Sequence, residues 1–168
     1  ALLASPQQPD ARVRRQVAEA IGGFFHAKAD AATTECLGRE RNPDIQVEAI
    51  EPLGAYPNPE VRETLLRFLN TPSYRNELAV SAIHAIRSAN DPAYIEPLRQ
   101  NLKTNEPAYT SRSFASALDT LASLSRNHDD RLDGTREFLL GYVNHPRRTI
   151  RVGAINALGT LEDPRAVP

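Results

Sequence analysis

The 168-residue sequence predicts an all-α protein built from consecutive helix pairs stacked in a row, which is an α-solenoid. Three observations predict this fold class. One segment recurs along the chain, the apolar residues inside each copy follow the period of a helix face, and nine of the 13 prolines fall at predicted helix boundaries. The balance of 40% hydrophobic and 24% charged residues is that of an ordinary folded domain.

The recurring segment is clearest at residues 10–22, 42–54 and 147–159, and each of these copies ends in a glycine. Two weaker copies place Arg87 and Ala122 at the glycine position. In each copy the apolar residues recur three to four positions apart, the spacing of one helix face. The segment is therefore a helix, and we expect it to be the second helix of each pair. These second helices are predicted near residues 11–25, 43–55, 74–88, 108–122 and 148–160.

A first helix fits between successive copies of the second helix. The candidates span roughly residues 28–40, 59–70, 92–103 and 131–144. In the second candidate the apolar stripe consists of Val61, Leu65, Leu66 and Leu69. The pattern thus alternates first and second helices along the whole chain.

The prolines indicate helix starts, because five of them follow a residue that can cap a helix. A cap side chain accepts a backbone N–H that the helix leaves unpaired, and proline at the first helical position has no N–H to lose. The pairs are Asn42-Pro43, Asn58-Pro59, Thr71-Pro72, Asp91-Pro92 and Asp163-Pro164. Pro52 and Pro97 are predicted to lie inside helices and to bend them.

The pattern D-x-x-V-R-x-x-A/V-x-x-A-L/I-G resembles the second helix of HEAT repeats, of the short bacterial kind also found in bilin-lyase-like proteins. Asp10 and Arg14 match acidic and basic positions that resemble the family's ladder between repeats. The resemblance implies a right-handed α-solenoid of about five helix pairs that forms a single repeat array over residues 1–168. Because both ends of the sequence look like parts of further helices, we expect the array to be a fragment of a longer protein.

The chemistry-bearing residues form no catalytic constellation in the sequence. The single cysteine, Cys36, lies in an apolar-spaced run and is predicted to be a buried hydrophobe. No H-E-x-x-H or G-x-S-x-G motif occurs, and no two histidines are four residues apart. For His84 and His128 a packed or solvated histidine is favoured over a metal ligand. We therefore predict no catalytic residue, no cofactor and no metal, and no enzyme activity for this segment.

Charge and hydropathy argue against nucleic-acid and membrane partners. The formal net charge is −1, no tryptophan is available for base stacking, and no apolar run is long enough to span a bilayer. Two basic clusters remain, one of Arg12, Arg14 and Arg15 and the other of Arg147, Arg148 and Arg151. They fit either a phosphate or acidic-peptide surface or ordinary solvated helix faces, and the balanced charge favours the second interpretation.

The leading functional hypothesis is a non-catalytic scaffold whose concave face binds a protein partner or a neighbouring domain of the same chain. We predict that this face is lined by residues of the second helices that lie off the apolar stripe. They are Arg15, Glu19, Glu48, Glu51, His84, Arg148 and Asn156.

Two alternatives stay open. The stretch from residue 78 to residue 168 resembles the C-terminal helical region of bacterial gluzincin-type zinc aminopeptidases, which implies an active site outside this chain. The HEAT resemblance also allows a bilin-lyase-like protein.

Overall fold

The computed structural model describes residues 8–24 and 26–166, and within those ranges the chain is all-α, with no strand. Nine α-helices are present in the described part, joined by turns and short 3-10 helices. They are α1 (Ala11–Gly22), α2 (Ala27–Arg39), α3 (Pro43–Ile50), α4 (Pro59–Leu69), α5 (Glu77–Ala89), α6 (Ile95–Asn105), α7 (Ser111–Ser125), α8 (Asp129–Leu140) and α9 (Arg148–Leu161). The predicted all-α fold class is confirmed.

The chain forms two compact units, Ala1–Ala89 and Asn90–Pro168, here called the N-terminal and C-terminal units. In the N-terminal unit α1 packs on α3, and α3 packs on α5, so the second helices lie side by side. The first helices α2 and α4 cover them, α2 against α1 and α3, and α4 against α5. The core between them consists mainly of aliphatic side chains, among them Ile21, Ile45, Ile50, Leu53, Leu65, Leu69 and Ile86.

The C-terminal unit repeats this arrangement with α7 and α9 as the neighbouring second helices. First helix α6 packs on α7, and α8 packs on both α7 and α9. Its fully buried side chains include Leu98, Leu102, Phe114, Leu118, Leu121, Leu139 and Ile150. Phe114 contacts the rings of both Tyr109 and Tyr142, with centroids 5.9 Å and 5.2 Å apart. Burial of these apolar faces is what stabilises each unit, because no single helix could shield its own stripe from water.

Cap chemistry sets three of the predicted helix starts. Asn42, Asn58 and Asp91 each accept a hydrogen bond from a backbone N–H in the first turn of the helix that follows, and each is followed by proline. Asp163 acts in the same way on Arg165 ahead of the 3-10 helix Pro164–Ala166. Thr71-Pro72 differs, since no helix begins there.

Helix α5 begins at Glu77, three residues later than the predicted position 74. Arg75 and Asn76 have φ angles of 51° and 55°, in the left-handed region that an α-helix cannot contain. The Oγ of Ser73 then accepts a hydrogen bond from the N–H of Leu78, and this bond caps the first turn. The predicted start at 74 is therefore wrong because of a backbone reversal that the apolar pattern does not register.

Other boundaries differ by smaller local effects. Helix α7 begins at Ser111 rather than 108, because Thr110 is its cap and accepts from the N–H of Ser113. The second helix starting at Pro43 changes to a 3-10 helix over Glu51–Ala55, as its internal Pro52 requires. Pro97, in contrast, lies in the first turn of α6, where a missing N–H costs nothing. The first predicted second helix ends at Gly22 rather than at 25, with Gly23 as its C-cap, and residue 25 itself lies outside the described residues.

Cys36 is buried in α2 at 7% exposure, as the sequence analysis predicts. Burial raises the pKa of its thiol above the ordinary value, since a thiolate would lose its hydration there. The neutral thiol is therefore a packing element of the N-terminal unit.

Candidate functional site

The predicted contact residues of α1 and α3 lie next to each other on the solvent side of the second helices. Arg15 on α1 donates from Nε to Oε1 of Glu48 on α3 over 3.1 Å. The Arg15 side chain is 54% exposed and that of Glu48 is 28% exposed. An exposed ion pair of this kind contributes little to folding, because water screens the attraction and both side chains lose rotamer freedom. Its larger effect is to hold two charged side chains of neighbouring repeats in one position at the surface.

A second pair continues this surface towards α5. Oε2 of Glu51, in the 3-10 helix after α3, lies 3.7 Å from Nδ1 of His84 on α5. Both side chains are solvent-exposed, at 59% and 43%. Glu19 on α1 is exposed and accepts from Nε2 of Gln16 at 3.3 Å. The structure therefore places Arg15, Glu19 and Glu51 at exposed positions, and Glu48 and His84 at partly exposed ones, on the solvent side of the N-terminal unit.

The two predicted residues of the C-terminal unit, Arg148 and Asn156, are exposed on α9. Between them the structure exposes two large apolar side chains, Val152 at 47% and Ile155 at 56%. Helix periodicity alone did not single these residues out, because they lie beside the stripe of Ile150 and Ala154 that faces the core. A comparison of the copies could have indicated them, because they are apolar residues at positions that other copies of the repeat fill with polar or buried side chains.

We call Arg15, Glu19, Glu48, Glu51 and His84 of the N-terminal unit the second-helix face; Arg148 and Asn156 belong to the C-terminal unit and are treated separately.

The basic position of the predicted ladder has a structural role. Arg14 donates from Nη1 to the carbonyl oxygens of Gln8 and Pro9, both over 3.0 Å. Arg151, at the equivalent position of the last copy, donates in the same way to the carbonyls of His145 and Pro146. In the second copy Gln46 replaces the arginine, yet its amide donates to the carbonyl of Glu40, again six residues earlier. In these three copies the position fixes the turn that precedes the second helix.

The acidic partner of Arg14 is Glu40 rather than Asp10. Arg14 Nε donates to Glu40 Oε2 over 2.7 Å, whereas Asp10 caps α1 by accepting from the N–H of Arg12. Glu40 also accepts the N–H groups of Arg41 and Asn42. The Arg14 guanidinium is the main reason that the pKa of the Glu40 carboxyl lies below its usual value, and the two backbone hydrogen bonds lower it further. The carboxylate therefore stays charged and joins α1 to the turn before α3.

A comparable cluster joins the turn before α9 to the 3-10 helix after α6. Oε1 of Glu106 lies 2.7 Å from Nη2 of Arg147 and 3.0 Å from Nε2 of His145. Nδ1 of His145 accepts the backbone N–H of Arg147, which assigns the imidazole proton to Nε2. Arg14, Arg15 and Arg147 are therefore each paired with a carboxylate of the same unit, which weakens the basic clusters as phosphate sites.

Among the described residues no group of three or more histidine, cysteine, aspartate or glutamate side chains is placed to hold a metal ion. None of the helices in the described ranges has the length and apolarity to cross a membrane. What the exposed arrangement of the N-terminal unit offers chemically is a set of polar and charged side chains on neighbouring second helices, available for contact with another macromolecule.

Comparison with known proteins agrees with this architecture. The family model described as HEAT repeats matches residues 1–80 and 31–119, and the model described as PBS lyase HEAT-like repeat matches residues 150–168. No curated protein matches the chain in sequence.

One similar solved structure is the complex of CpcE and CpcF of phycocyanin lyase from Nostoc sp. PCC7120. The similarity has a TM-score of 0.72 at 18% identity and covers 98% of this chain and 65% of that chain. At this identity the likeness concerns the fold, and this chain spans just under two thirds of the solved chain. The repeat, the alternating helix packing and the match of the HEAT model over most of the sequence make this chain a member of the HEAT-repeat family.

Proposed function

We propose that this chain is a non-catalytic HEAT-repeat scaffold that binds a protein partner, or a neighbouring domain of its own polypeptide, through the second-helix face. The observation that carries the proposal is the pairing of Arg15 with Glu48 and of Glu51 with His84 between consecutive repeats. The Arg15–Glu48 hydrogen bond holds two of these side chains in defined positions while contributing little to folding, and Glu51 lies 3.7 Å from His84 beside it. A surface ordered in this way loses less side-chain entropy when a partner binds.

The charge of the second-helix face indicates the chemistry of the partner. Glu19, Glu48 and Glu51 provide three carboxylates against the single guanidinium of Arg15. We therefore expect the complementary patch on the partner to be basic, and association to weaken as the salt concentration rises.

Site-specific photo-crosslinking tests the proposal directly. A photoreactive residue is introduced at Glu51 on the second-helix face and, as the matched control, at exposed Glu63 on first helix α4. We expect a discrete crosslinked protein from the Glu51 position only, and we expect Glu48→Lys to abolish it. Equal crosslinking from both positions, or persistence of the product in the Glu48→Lys variant, would rule out this face as the binding surface.

A second candidate function is a bilin-lyase-like activity. Two findings favour it, the PBS lyase HEAT-like model at residues 150–168 and the fold shared with a chain of a phycocyanin lyase complex. The test is to add a free bilin chromophore to the purified chain and to record its absorption spectrum. A red shift with increased absorbance supports chromophore binding, whereas an unchanged spectrum removes this candidate.

The aminopeptidase hypothesis concerns residues outside this chain and stays a prediction. An H-E-x-x-H motif upstream in the full-length gene would support it, and the absence of that motif would remove it.

A further inference from the structure

The backbone between α4 and α5 differs from the backbone that precedes the other second helices. Twelve residues before the glycine position the other four copies are extended, with φ between −67° and −79°, at Asp10, Asn42, Thr110 and Arg147. The equivalent residue before α5, Arg75, has a φ of 51°, and Asn76 after it has a φ of 55°. Asparagine enters this left-handed region more readily than most residues, whereas arginine is unfavourable there. The fold therefore holds Arg75 in a strained conformation.

This backbone reversal determines where the preceding side chain lies. In the fourth copy, Tyr109 occupies the repeat position that Tyr74 occupies in the third, thirteen residues before the glycine position. Tyr109 is 3% exposed, donates from its hydroxyl to Oδ1 of Asn101 over 2.6 Å and contacts the ring of Phe114. Tyr74 is 71% exposed. The same residue type at the same repeat position is therefore packed in one copy and directed into solvent in the other.

Arg75 stacks on the exposed ring of Tyr74. Its Cζ lies 5.0 Å from the ring centroid. Arg67 on α4 stacks in the same way on Phe68, at 4.9 Å, but Phe68 is only 4% exposed, so Arg67 covers a core side chain. Among the described residues no carboxylate pairs with the Arg75 guanidinium, whereas Arg15 of the same unit has one. The guanidinium donors of Arg75 are therefore available beside an exposed aromatic ring.

We propose that Tyr74 and Arg75, here called the Tyr74–Arg75 pair, bind an acidic segment of a protein partner. An Asp or Glu carboxylate of the partner accepts from the guanidinium, and a neighbouring apolar side chain packs on the ring. A strained backbone persists only where the surrounding structure holds it, and such residues concentrate at binding sites. Tyrosine and arginine are enriched among the residues that dominate binding at protein interfaces. A guanidinium already held on a ring presents a planar fork of N–H donors that matches the two oxygens of a carboxylate.

A protein carboxylate fits the Tyr74–Arg75 pair better than a nucleic-acid strand does. The pair offers one ring and one cation, and Glu77, two residues further on, is exposed. A strand with a phosphate on every nucleotide needs a row of cations and several stacking rings. The pair is also distinct from the second-helix face, for which a basic partner patch is expected. The two surfaces therefore accept partner segments of opposite charge.

Selection from a phage-displayed library of random dodecapeptides tests the proposal on the whole chain. The Tyr74→Ala variant serves for counter-selection, so that only peptides that need the ring are kept. We expect the enriched peptides to share an Asp or Glu next to an aromatic or aliphatic residue. A selection that yields no peptide dependent on Tyr74, or only peptides without a carboxylate, would overturn the proposal.

Fluorescence anisotropy then measures the Kd of an enriched, fluorescein-labelled peptide. We expect Tyr74→Ala and Arg75→Ala each to raise the Kd by about tenfold or more. Arg75→Lys should also raise it, because an ammonium group cannot replace the bidentate fork. Arg67→Ala is the matched control, since it removes a guanidinium stacked on a buried ring, and it should leave the Kd unchanged. An equal loss of affinity in Arg67→Ala, or tighter binding of a labelled single-stranded oligonucleotide than of the peptide, would contradict the proposal.

The Arg75→Gly variant separates binding from a structural role. Glycine adopts the left-handed conformation without strain, so this variant should bind as weakly as Arg75→Ala without a fall in Tm. Loss of binding confined to variants whose Tm also falls would assign the pair a structural role instead. Glu48→Lys disables the second-helix face and should leave the peptide Kd unchanged, so either proposal can fail while the other stands.

Discussion

Replacing Gly54 by alanine tests the close approach of neighbouring second helices most directly. The added Cβ would lie 2.8 Å from both C and Cα of Ala85, and closer still to its carbonyl oxygen. An ordinary carbon–carbon contact is about 3.5–4.0 Å, so the 3-10 helix that follows α3 would have to move about 1 Å away from α5. Because the colliding atoms are backbone, no side-chain rotation can relieve the contact.

The expected loss of stability follows from two opposing terms. Overpacking of a core contact costs about 1–3 kcal/mol, and a rigid backbone neighbour places this site in the upper part of that range. Alanine recovers up to about 1 kcal/mol through its greater helix propensity. We therefore expect Gly54→Ala to lower the free energy of unfolding by about 2 kcal/mol, and Tm by about 4–8 °C.

Gly159 supplies a control at the same position of the repeat. Its added Cβ meets no described atom within 4 Å, so only the propensity term remains. Gly159→Ala should raise the free energy of unfolding by about 0.5–1 kcal/mol. Both variants are measured by urea and thermal unfolding with far-UV circular dichroism. Shifts of the same sign and size in the two variants would refute the reasoning.

Three further outcomes follow from single side chains. Hydrogen bonds to Asp163, first from Arg165 and also from Arg136, lower the pKa of its carboxylate to about 2. Its contribution to stability is therefore present above about pH 4 and is lost as the pH falls towards 2. In Asp163→Asn, thermal unfolding followed over this range should show a smaller pH dependence. Cys36 should react with a thiol reagent much more slowly in the native chain than in urea, and equal rates would contradict its burial. Nδ1 of His26 accepts the N–H of Lys28 over 3.0 Å and caps α2, so His26→Ala should cost about 1 kcal/mol in a urea titration, while His26→Asn, which keeps an acceptor, should cost much less.

Much of the fold was predictable because its causes are local. The spacing of apolar residues along α4 and α9 follows from 3.6 residues per helical turn. The starts at Pro43 and Pro59 follow from cap hydrogen bonds that span two or three residues. The repeat glycines were visible in the sequence as a pattern, but the atoms that lie against Gly22 and Gly54 are known only from the structure.

The candidate site was predictable only in part. The exposed positions Arg15, Glu19 and Glu51 could be placed by helix periodicity, because a residue off the apolar stripe faces water. That Arg15 pairs with Glu48, which is 33 residues away, depends on how two helices pack. The sequence analysis contained both residues but no means of joining them.

What the sequence by itself determined about this protein is therefore its repeat, its all-α class and the ends of many helices. These depend on backbone hydrogen bonds and side-chain periodicity within a few residues. Only the tertiary structure decided that Arg14 pairs with Glu40 rather than Asp10, and that Ile155 stays exposed where its equivalents are buried. Ion-pair partners and burial depend on which helices become neighbours, and atoms that meet there are separated by 26 or more residues along the chain.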